Sequence, residues 1–140
     1  YILFAIAMTA GRLLGDRLVA RIGDYRALLG GGTVAVLGFA VLLAVPVAPV
    51  ALGGFVLIGL GASNLVPVLF RRAGSQSNMP PALAIGALTT LGYAGILVGP
   101  AGIGVVAKAV GLPAAFWILA ALLLLVPLTA RRVTRGAQAL

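Results

Sequence analysis

The sequence has no cysteine and no histidine, and among its 140 residues only two are acidic, Asp16 and Asp24. The first two absences remove disulfides, thiol chemistry and the ordinary zinc ligands, so neither a metal nor a cofactor is expected. Two aspartates alone do not supply the nucleophile, acid and base cluster that a membrane enzyme needs. Charge of either sign is scarce. Charged residues make up 9% of the chain, against about a quarter in a soluble domain. The chain is 62% hydrophobic, with a mean hydropathy of +1.21, and has too little polar surface to cover a water-facing globule. It reads as an integral membrane protein whose first partner is the lipid bilayer.

Lipid leaves backbone groups no outside partner, so a spanning chain is either helical or a closed barrel. Barrel strands alternate apolar and polar residues. The runs 33–45 and 114–127 show no such alternation, which predicts an all-α, polytopic transmembrane helix bundle. The net charge of +8 does not point to nucleic acid, because the arginines lie between apolar runs, as in the loops of membrane proteins.

The expected layout is one partial span followed by four full ones, at 1–14, 26–45, 50–70, 81–108 and 113–130. The first is too short to cross a bilayer at about 1.5 Å per residue, and it opens at Tyr1 inside an apolar run. It is read as the second part of a helix that begins upstream. A charged, glycine-punctuated loop is expected at 15–25, with Asp24 placed to cap the next helix. Pro46 and Pro49 break the chain after the second span. Arg71 and Arg72 are expected to end the third, before a polar loop at 73–80. Pro81 suits a helix first turn, and Pro113 opens the last span. A short basic tail carrying Arg131, Arg132 and Arg135 is read as the C-terminus.

Threading these spans in alternation puts nine of the ten basic residues on one side and only Lys108 on the other. Short loops rich in arginine stay cytoplasmic, so the 15–25 segment, the 73–80 loop and the tail are all assigned to the cytoplasm. Trp117 and Phe116 fall near the outer interface. Lys108 reads as an interface residue whose stem snorkels to water.

The charged segment has two readings. Arg12, Asp16 and Ala20 recur at helical spacing, so Arg12 and Asp16 can neutralise one another at the membrane edge. Arg17 and Arg21 form a second row. Otherwise these are solvated charges that set topology. The stretch Gly15-Asp-Arg-Leu-Val-Ala-Arg-Ile-Gly23 resembles the loop signature of the major facilitator superfamily, roughly Gly-x-Leu-Ala-Asp-Arg-x-Gly-Arg-Arg. Leu18, Arg21 and Gly23 match in one register, where Ala20 stands at the family's Asp. In a second register Asp16 and Arg17 take the Asp-Arg positions. The resemblance implies a cytoplasmic clamp built from Arg12, Gly15, Asp16, Arg17, Leu18, Arg21 and Gly23, with Asp16 facing the start of the fourth span near Ala82.

The fourth span carries a second likeness. Gly95-Ile-Leu-Val-Gly99-Pro100 is similar to the Gly-x-x-x-Gly-Pro element of that family. Gly92, Gly95, Gly99 and Gly102 form one smooth stripe suited to close helix packing, and Pro100 permits a bend. Thr89, Thr90 and Tyr93 lie on other faces of this span. They either line a substrate cavity or, for the threonines, bond back to their own helix. Asn64 either lines the same cavity or ties two helices together.

The resemblance implies the end of helix eight through helix twelve of a bacterial plasma-membrane transporter. It further implies a small-molecule substrate, alternating access, and the N-terminal half of the same transporter as partner. The alternative is a non-transporting membrane module for assembly or anchoring.

Overall fold

Proline and glycine set the breaks in a chain that is otherwise helix. The computed structural model describes residues 1–135, and no strand occurs among them. Helix α1 spans Ile2–Ile22 and α2 spans Asp24–Ala44. Only Gly23 separates them. Its φ of 83° lies where L side chains are strained, so glycine is what lets the chain reverse within one residue. Val45, held extended before Pro46, ends α2.

Helix α3, Ala48–Ala62, gives way to α4, Leu65–Ser75, at Ser63 and Asn64. Pro67 explains the break, since it has no N–H to offer the Ser63 carbonyl and its ring crowds that oxygen. The same offset relates Pro127 to Leu123, where α6, Leu112–Leu123, hands over to α7, Leu125–Arg135. Between them α5, Pro81–Val110, runs unbroken through Pro100 and ends at Gly111, whose φ is 90°.

The helices are longer than the sequence reading expects. The 15–25 segment is not a loop, because α1 continues through it to Ile22. Arg71 and Arg72 do not stop α4, which reaches Ser75. The basic tail is helical as far as Arg135. The physical reason is shared. Arginine is a good helix former, favoured at helix C-termini by the macrodipole, and its stem can lie along apolar surface while the head meets water. Among the described residues, four helical stretches are long and apolar enough to span a membrane: Asp24–Ala44, Ala48–Ser75, Pro81–Val110 and Leu112–Arg135.

In lipid, helix association relies on close contact more than on released water. The tightest pair is α2 with α3. A Cβ added at Gly61 would sit 2.5 Å from the Ala35 nitrogen and 2.6 Å from the Gly31 oxygen. Gly38 and Gly54 oppose one another in the same interface, each with backbone within 2.8 Å of an added Cβ. Helix α1 packs on α3, while α6 and α7 pack on α2. Helix α5 leans on α4 and α6 and contains no buried residue. Near the arginine-rich end a small core gathers Val19, Ala27, Leu28, Leu65, Val68 and Ala130.

Candidate functional site at the arginine-rich end

Asp24 begins α2 with no side-chain cap hydrogen bond. Its carboxylate turns instead to the last turns of α4. Arg71 Nη2 donates to Oδ1 at 2.7 Å, and Arg72 Nε lies 2.6 Å from Oδ2. The Nε–H is not aligned with that oxygen, so the second contact is one of charge rather than a formed hydrogen bond. Asp24 thus meets two consecutive arginines with both oxygens while its side chain is only 16% exposed. The position is doubly favourable, because an anion at a helix start and cations at a helix end both complement the peptide dipoles.

The cluster extends to the end of α7. Arg72 Nη1 donates to the Thr134 carbonyl at 3.4 Å, and Arg131 Nε donates to the Tyr25 hydroxyl at 3.1 Å. The Arg131 guanidinium also lies 6.0 Å from the centre of the Tyr25 ring, within reach of a cation–π contact. Three helix ends, those of α2, α4 and α7, are joined by these side chains. Between them opens a cleft of about 380 Å³, with Arg26, Arg72, Arg131 and Arg135 on its walls.

The residues expected to form a clamp are placed otherwise. Arg12, Asp16, Arg17 and Arg21 are exposed along α1. Among the described residues none of them makes an ion pair or a side-chain hydrogen bond, so Arg12 and Asp16 do not neutralise one another. Asp16 reaches no partner at the start of α5. Leu18 is exposed, and Gly23 is the hinge between α1 and α2. Gly15 is buried, where an added Cβ would overlap the Asn64 amide.

Asn64 forms a tie. Its Nδ2 donates to the Gly11 carbonyl at 3.1 Å and to the Ser63 hydroxyl at 3.0 Å. Ser63, fully buried, donates in turn to the Leu60 carbonyl at 2.7 Å. The helix break at Ser63 and Asn64 is therefore fastened to α1. Thr89 and Thr90 donate to Ile85 and Gly86 of their own helix, at 2.8 and 2.9 Å. Tyr93 is 65% exposed. The structure does not bring these three together with Asn64. A Cβ at Gly92, Gly95, Gly99 or Gly102 meets nothing within 4 Å, so the glycine stripe of α5 makes no close packing contact among the described residues, although Gly99 and Gly102 line a hollow against α6. Pro100 is exposed on the same helix.

Sequence reasoning missed the Asp24 cluster. The signal was present: with only two acids in the chain, one of them opens a helix on the same side as the adjacent pair Arg71 and Arg72.

Comparison with known proteins bears on the whole chain. No family model and no solved structure matches it. It is 50% identical over 135 residues to an uncharacterized MFS-type transporter of Yersinia pestis, covering 96% of this chain and 35% of that protein. It is 39% identical over 112 residues to the membrane protein MosC of Rhizobium meliloti, covering 80% of this chain and 28% of that one. An uncharacterized transporter of Sinorhizobium fredii is 32% identical over 119 residues, or 85% of this chain and 32% of its own length. Half-identity sustained across 96% of the residues, in a chain of apolar helices, makes this multi-pass membrane chain a member of the major facilitator family, as a segment that spans about a third of the length of the relatives it matches.

Proposed function

We propose that this segment belongs to the second half of a secondary transporter, which moves a small solute across a bacterial plasma membrane by alternating access and does no covalent chemistry. The observation that carries the reading is the 50% identity to an MFS-type transporter over nearly the whole chain. Helix α5 supports it. Its 30 mostly apolar residues include none that is buried, and its glycine stripe is open. A face built for close approach, with no tight contact at Gly92 and Gly95 among the described residues, suits docking of the N-terminal half that lies outside this chain. Thr89, Thr90 and Tyr93 belong on the same account to a cavity shared with that half, while Asn64 serves as the tie of the helix break to α1.

In this reading the arginine-rich end is cytoplasmic and the two aspartates divide the work. Asp24 holds the helix ends of its own half together. Asp16, exposed and without a partner among the described residues, is the acid available for a contact that is remade as the halves rock. Transport by the full-length protein in proteoliposomes tests this. Asp16→Asn should cut flux about tenfold at equal membrane abundance, roughly the loss of one charge-assisted hydrogen bond. Wild-type flux from that variant would reject the role.

A further inference from the structure

The cleft at the arginine-rich end and a second, apolar hollow meet. Asp24 offsets only one of the two charges of Arg71 and Arg72. Arg131 leans on neutral Tyr25, and among the described residues Arg26 and Arg135 have no side-chain partner. The cleft therefore keeps uncompensated positive charge. It also contains the start of α2, whose first-turn N–H groups have no side-chain cap and favour an anion.

The second hollow, about 420 Å³, runs along the bundle between α1 and α2, with Leu14, Leu18, Val34 and Leu60 among its walls. It exists because α1 and α2 both pack on α3 more than on each other. Ile22 and Arg26 line both spaces.

We propose that the pair forms a binding site for an anionic phospholipid, with the phosphate group in the arginine cleft and an acyl chain in the apolar hollow. Basic pockets between the ends of membrane helices are suited to lipid phosphates. The apolar extension selects the source. A free phosphate has no use for the hollow, and a packing helix has no use for the arginines. Only an amphipathic anion uses both, with Arg26 at the junction where head group and chain divide.

The test uses the full-length protein in detergent, with native mass spectrometry reading retained lipid. Phosphatidylglycerol should be retained over phosphatidylcholine. Arg26→Gln and Arg135→Gln should each lower phosphatidylglycerol retention about fivefold, the weight of one basic residue at a membrane surface. Neither side chain holds the fold, and Arg26→Lys should keep most of the binding. Gly30→Leu fills the hollow from a position where an added Cβ meets nothing within 4 Å. It should lower lipid retention without altering binding of inorganic phosphate. Arg17→Gln, on α1 and outside both spaces, should change nothing. Equal retention of the two lipids would overturn the proposal. So would equal losses from Arg17→Gln and Arg26→Gln, which mark diffuse charge. Displacement of the lipid by inorganic phosphate, with no effect of Gly30→Leu, would assign the cleft to a free anion instead.

Discussion

The Ala48–Ser75 stretch and the Pro81–Val110 helix have nearly the same hydropathy, 1.8 and 1.7, yet 39% of the apolar 18-residue window of the first is buried within the chain and none of that of the second. Both are rich in glycine. In α3 all the glycines but Gly53 are where backbones touch: Gly54 against Gly38, Gly61 against Gly31 and Ala35, Gly59 against Phe4 and Ala7. In α5 an added Cβ meets nothing within 4 Å at any glycine, even where Gly99 and Gly102 line a hollow against α6. Composition alone thus marks a helix as able to pack closely, and says nothing of whether the partner lies in the same segment. Where no water is expelled, packing depends on which surfaces meet.

Five substitutions probe that contrast. Gly61→Leu should be the most damaging, at about 3 kcal/mol, because the atoms in its way are backbone and cannot rotate aside. Thermal unfolding of the full-length protein reads it, and a loss below that of a typical surface change would mean α2 and α3 separate easily. Asp24→Asn comes next. It removes the charge that both Arg71 and Arg72 face, at a cost of about 2 kcal/mol, and Asp16→Asn should leave stability unchanged. If the two aspartates behaved alike in unfolding, the division between a structural and a transport acid would fail.

Gly95→Leu touches no contact within this chain. In the full-length protein it should cost about 1 kcal/mol through a helix from outside the segment. An unfolding temperature equal to wild type would leave α5 facing lipid. Thr89→Val is the mildest, within about 0.5 kcal/mol, since the lost bond runs to the helix's own carbonyl. A raised KM for the solute at unchanged stability is expected from cavity lining, and an unchanged KM would remove Thr89 from the cavity.

Much of the architecture was legible beforehand because its causes are local. Apolar runs without alternation forced helices, and Pro46, Pro49 and Pro113 marked turns where a backbone donor is lost. The clustering of arginines at one end followed from the same threading. Helix ends were less legible. The charged stretch after Leu14 looked like a loop, yet arginine stems carry α1 on to Ile22. The breaks opposite Pro67 and Pro127 were also unread, since the crowded carbonyl lies one turn before the proline that causes the break.

The candidate site was legible only in its ingredients. Asn64 was recognised as a costly group needing a partner, and whether that partner is a helix or a solute depends on where Gly11 lies. Asp16 drew attention because it sits in a family-like motif, whereas the ion pairs formed at Asp24. The sequence by itself determined that this chain lives in lipid as helices with one basic end, because hydropathy and backbone hydrogen bonding act residue by residue. Only the tertiary structure decided which acid is paired, which glycines carry packing and where the apolar hollow opens onto the arginines. Those outcomes depend on short-range contacts between residues far apart in the chain, and spacing along one helix does not encode them.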